Sequence, residues 1–85
     1  MTKKAESQQY TVLREMLRER RQKAKLSQRQ LAERLGKPQS WVCRHERGDL
    51  RMDLVELRAY LGALDVNLTT FVRTLDRKIA GLERE

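Results

Sequence analysis

Four side chains near the middle of the chain carry groups that could act together: the amide of Gln39, the hydroxyl of Ser40, the thiol of Cys43 and the guanidinium of Arg44. Their spacing of i, i+1, i+4 and i+5 puts all four on one face of a helix. Such a set suits hydrogen bonding to planar edges rather than bond breaking. A glutamine amide can bond adenine N6 and N7 as a pair, and an arginine fork can bond guanine O6 and N7. Serine can take a base or a phosphate, and Cys43 offers mainly apolar contact. The parts for catalysis are missing. His45 is the single histidine, with no catalytic or metal-binding partner at a useful spacing, and no Gly-rich phosphate loop or pair of acids occurs. No enzyme activity, cofactor or metal is expected.

The elements that must position this face lie between Leu26 and Gly48. Ser27 is a good N-cap, and Gln30 completes a capping box, with Leu26 and Leu31 placed to close as a hydrophobic staple. Leu31, Ala32 and Leu35 give an apolar stripe, and Gly36 stops the helix where a left-handed residue is wanted. Lys37-Pro38 restarts the chain, because proline suits the start of a helix and not its interior. A second helix then carries Gln39 to Arg47 and ends at Gly48. Val42 points away from the four polar side chains and fixes them outward. Helix, glycine turn and helix in this compass form a helix-turn-helix, spanning 27–47.

The stretch resembles the phage-repressor-type regulators of the Cro/CI or XRE group. The residues that carry the resemblance are Arg21, LSQRQLA at 26–32, LG at 35–36, PQSWV at 38–42 and ERG at 46–48. Leu54, Leu57, Leu61 and Leu64-Asp65-Val66 sit where that family continues its core, so the similarity runs over roughly residues 12–75. The resemblance implies an all-α, compact five-helix, lambda-repressor-like fold, with Gln39, Ser40 and Arg44 facing bases. It implies that Gln28 binds a backbone phosphate and braces the first reading residue, and that Arg21 and Glu46 form a partly buried ion pair. Three positions depart from the pattern. Trp41 replaces a small residue, His45 an apolar one, and Asp65 the usual glycine. Trp41 could stack on sugar-phosphate or pack on a helix; Cys43 could be a redox switch or an inert small side chain; His45 reads as a semi-buried packing residue.

Eighty-five residues allow one small domain, and 36% charged with 5% aromatic residues suits helices. The net charge of +7 is unevenly spread: residues 1–52 hold 14 Lys/Arg against 6 Asp/Glu, and residues 53–85 hold 5 against 6. The basic half therefore offers a face to a polyanion, double-stranded DNA in this reading, with Lys37, Arg47 and Arg51 as further phosphate contacts. A single cysteine excludes an intramolecular disulfide. No apolar run is long enough to span a membrane and no signal core opens the chain, which suits a cytoplasmic, nucleoid-associated protein.

Along the chain, residues 1–6 read as a flexible basic arm in which Lys3 and Lys4 either touch phosphates or simply fray, and residues 7–85 as one domain. Helix one is expected from Ser7 or Thr11 to about Lys25, burying Leu13, Leu17, Ala24 and the Arg20 stem, with Met16 beside them and Arg14, Arg18, Lys23 and Lys25 in water. Helix four is expected to follow an Asp53–Glu56 capping box, with Met52 and Leu57 as its staple, and to bury Leu54, Leu57, Leu61 and Leu64. Gly62 within it suggests a close neighbour. Helix five, capped by Asn67, spans 68–84. Leu68, Val72, Leu75, Ile79 and Leu82 form an a/d seam about two heptads long, and Phe71 and Leu75 face partly toward the core. Two readings of the seam stand, a homodimer interface or packing onto helices one and four. The function expected is operator binding by a homodimer. The alternative is an antitoxin-like or adaptor protein whose last helix binds a different protein.

Overall fold

Side chains start three of the five helices, and one repeated backbone closure ends four of them. In the computed structural model, which describes the backbone of residues 3–84 and side chains from Gln8 onward, the helices are α1 (Lys3–Lys23), α2 (Gln28–Leu35), α3 (Gln39–Arg47), α4 (Leu54–Ala63) and α5 (Leu68–Glu83). Ser27 and Gln30 form the expected capping box at α2, and Asp53 and Glu56 form theirs at α4. Asn67 Oδ1 accepts from the Thr70 amide at the start of α5.

Gly36 (φ 66°) and Gly48 (φ 88°) end α2 and α3 in the left-handed region, as their places predict. Each closes with the paired hydrogen bonds of a Schellman turn: Lys37 N–H to the Ala32 carbonyl, and Asp49 N–H to that of Arg44, are the outer bonds. Asp65 ends α4 in the same way at φ 57°. The end of α1 differs from expectation. Lys25 itself is left-handed at φ 60°, so the helix stops at Lys23 and Ala24 lies exposed in the turn instead of in the core. At its other end α1 begins at Lys3, so residues 3–6 have helical backbone rather than that of a loose arm; Met1 and Thr2 lie outside the described residues.

The core collects Met16 and Leu17 from α1, Leu31 and Ala32 from α2, Val42 from α3, Tyr60, Leu61 and Leu64 from α4, and Phe71 from α5. Around it α2 packs on α3 and α4, while α1 packs on α3 and α5. Arg34 of α2 donates to the Ala63 carbonyl at 3.0 Å and satisfies one of the free acceptors at the end of α4. The α4 stripe needs correction. Burial is confined to its later turns, Leu54 is 66% exposed, and Tyr60 takes the fully buried position that a leucine stripe does not announce. Gly62 marks no close approach either, since it is exposed and nothing lies within 4 Å of where its Cβ would be.

Candidate nucleic-acid interface

Pro38 precedes α3 in extended backbone (φ −66°, ψ 152°) and supplies no side-chain cap, while its carbonyl accepts from the Trp41 amide at 3.0 Å. From that start the helix sorts its residues by face. Val42 is wholly buried and His45 nearly so, which anchors one side on the core. Gln39, Ser40, Arg44 and Arg47 are exposed on the other, with Cys43 half-buried among them. The four residues singled out by spacing thus share one outward face. Trp41 belongs to the anchored side: it is half-buried, packs against the core, and its ring centroid lies 4.2 Å from that of His45. His45 Nδ1 lies 2.7 Å from the Trp41 carbonyl, which can only accept, so that nitrogen carries the proton. Lys37 is exposed, its Nζ 5.5 Å from the Trp41 ring.

A buried polar group holds α3 at its angle. Arg21 Nε donates to Glu46 Oε1 at 2.7 Å, its NH2 reaches Oε2 at 3.3 Å, and its NH1 donates to the Leu26 carbonyl at 2.8 Å. The two side chains are 10% and 5% exposed, so solvent screens the pair little. Gln28 joins them, its Nε2 donating to Glu46 Oε2 at 2.6 Å. Gln28 therefore braces the ion pair from α2, and among the described residues no hydrogen bond joins it to Gln39. Tyr60 stands close by, fully buried, with a hydroxyl that has no hydrogen-bond partner. Burial first, and then the nearby Glu46 charge, push this phenol well above its ordinary range, while Arg21 pulls the other way.

The two arginines that follow this exposed face are already engaged. Arg47 donates to Asp49 Oδ2 at 2.6 Å, and that bond and charge hold its guanidinium still more firmly protonated. Arg51 lies over the ring of Tyr10, 3.8 Å from its centroid. Arg14, expected in water, is half-buried and donates to the Thr11 hydroxyl at 3.2 Å. A Cβ at position 48 would fall 2.9 Å from its guanidinium carbon, so Gly48 both turns the chain and leaves that group room. Tyr10 and Arg14 escaped the sequence reading because both lie on a helix whose polar residues resemble an ordinary solvated face.

The seam on α5 divides. Leu68 and Leu75 pack partly against the core of the same chain, as the second reading of the seam expects. Val72 is 39% exposed, and Ile79 and Leu82 are half-buried outside the core cluster.

A short helix anchored by Val42, preceded by a glycine turn and displaying Gln39, Ser40 and Arg44, defines a helix-turn-helix domain. A family model described as a helix-turn-helix domain matches residues 12–71. Among solved structures, an XRE-family like protein from Pseudomonas syringae pv. tomato str. DC3000 is similar, with a TM-score of 0.84 and 30% sequence identity over 91% of this chain and 94% of that one. No curated protein matches. The chain belongs to the XRE-type helix-turn-helix family of DNA-binding regulators.

Proposed function

We propose that this protein reads a pseudo-palindromic operator in double-stranded DNA as a homodimer and represses transcription by occluding a promoter. The observation that carries the reading is the two-sided α3, with Val42 fully buried beneath an exposed row of Gln39, Ser40 and Arg44. An α-helix fits the major groove, and amide and guanidinium groups are the side chains that distinguish bases there. Two copies would place their reading helices about 34 Å apart on one side of the duplex. Lys37, Arg47 and Arg51 supply charge for the backbone, and Gln28 acts through Glu46. The dimer rests on the outer part of the α5 seam, Val72, Ile79 and Leu82, with Leu68 and Leu75 shared between seam and core. A cytoplasmic, nucleoid-associated location follows from this role.

Selection of bound sequences from random duplex DNA, repeated at two salt concentrations, tests the reading. A two-fold-symmetric site with steep salt dependence is expected. Absence of any enriched sequence at low salt and high protein sinks it. Arg44→Ala should weaken binding by about 1–3 kcal/mol and relax one base position, whereas Lys37→Ala should weaken all sequences alike. Light scattering on the free protein should give twice the mass of one chain. A monomer would favour the adaptor reading, in which α5 awaits a different protein.

A further inference from the structure

A cavity of about 500 Å³ opens between the first half of α1 and the loop that leaves α3. Its floor is apolar, with Leu13 and Leu17 of α1 set against Met52 and Leu57. Arg14, Arg47 and Arg51 also line it, beside Tyr10, His45, Gly48 and Leu50, and no Asp or Glu belongs to the lining. Asp49 engages Arg47, but among the described residues no ion pair reaches Arg14 or Arg51. The Thr11 hydroxyl and the Tyr10 ring, against which these two side chains lie, bring no formal negative charge. The cavity thus keeps a positive charge above an apolar floor. Tyr10, which holds Arg51 in place, precedes residues 12–71, the segment matched by the helix-turn-helix family model.

A DNA phosphate gains nothing from an apolar floor, and an uncharged hydrocarbon gains nothing from three guanidinium groups. The combination is complementary to a small anion with an apolar body, and the volume lies within the range of small-molecule sites. We propose that this cavity is an effector site for a small aliphatic carboxylate, and that filling it weakens DNA binding. The carboxylate pairs with Arg14 and Arg51 while the chain lies along Leu13, Leu17 and Met52. The regulatory half rests on the DNA-reading function proposed above. Arg47 and Arg51 are assigned there to the DNA backbone, and a bound anion would neutralise the charge they offer it.

The test begins without DNA. Isotope-labelled protein is titrated separately with octanoate, octanol and inorganic phosphate while amide resonances are followed. Saturable shifts centred on Leu13, Arg14, Gly48 and Met52 are expected with octanoate, and at least tenfold weaker binding with the other two. Arg14→Gln should weaken octanoate binding at least fivefold with an unchanged melting temperature, and Arg14→Lys should restore part of it. The selected duplex should then bind at least fivefold more weakly in saturating octanoate, an effect that Arg14→Gln abolishes. Shifts elsewhere, or none, overturn the site. Octanol matching octanoate reduces it to an apolar cavity, and phosphate matching octanoate reduces it to a simple anion site; either result overturns the proposal. Octanoate binding without change in DNA affinity overturns the regulatory half. If no duplex is ever selected, the DNA-reading function fails while the titration still decides the site.

Discussion

The reader, α2 with α3, and the support, α1 with α4, end their helices with the same pair of hydrogen bonds but not with the same residues. Gly36 and Gly48 close the reader; Lys25 and Asp65 close the support. A left-handed backbone is free for glycine and strained for a residue with a Cβ. The one unpartnered buried hydroxyl among the described residues, that of Tyr60, also belongs to the support, as does the exposed apolar pair Leu54 and Val55. In the reader the turn geometry is unstrained, and Glu46 is satisfied from two directions. The difference teaches that the accurately held part of the molecule is the part that, in the function proposed above, presents side chains in a fixed register. The helices behind it carry the misfits.

The largest expected effect comes from breaking the accurate part. Glu46→Ala leaves the Arg21 guanidinium buried without a counter-charge and Gln28 without its acceptor. Loss of one partner of a buried pair costs roughly 3–5 kcal/mol, a large share of the stability of so small a domain. Urea unfolding measures the loss. A change below about 1 kcal/mol, the level of exposed pairs, would show that the pair is wetter than its 5–10% exposure indicates.

Relieving the support should act in the opposite direction. Tyr60→Phe removes a buried hydroxyl that bonds to nothing, and leaving such a group unsatisfied costs about 1–3 kcal/mol. The variant should be more stable by up to that amount. The same tyrosine sets an alkaline limit. Its folded pKa is raised, so the folded state holds a proton that the unfolded state has lost once pH passes about 10. Stability contributed by the neutral phenol is full below that point and falls as pH rises further. Wild type should therefore lose stability above about pH 10 more steeply than Tyr60→Phe. Equal slopes would remove Tyr60 as the cause.

How much of this was legible follows the same division. Ser27, Gln30, Gly36, Asp53, Glu56 and Asn67 act through neighbours three or four residues away, so their types and spacing already describe the contact. Val42 was legible from helical spacing, but the Arg21–Glu46 pair only through family resemblance, because that contact spans 25 residues and no local pattern states it. Lys25 was not legible, since lysine carries no left-handed preference and nothing in the local sequence marks the turn. Tyr60 was hidden beside Leu61, one step off an apparently continuous leucine stripe. Arg14 and Tyr10 were hidden because their partners, Gly48 and Arg51, arrive from a loop more than thirty residues away.

The smallest effects bear most directly on the contrast between the glycine ends and the others. Gly36→Ala introduces a Cβ into open space, so its whole effect is the backbone, a loss of about 1–2 kcal/mol. Asp65→Gly and Lys25→Gly run the exchange the other way. Each should gain up to about 1 kcal/mol, less than Gly36→Ala loses because glycine also adds freedom to the unfolded chain. For a domain of this size that is a rise of about 4–8 °C in melting temperature for a full kcal/mol. Asp65 should gain less than Lys25, because a short polar side chain tolerates the left-handed region better than a long one. Should both variants melt lower than wild type, the side chains at 25 and 65 make contacts worth more than the strain. The support would then be as well fitted as the reader.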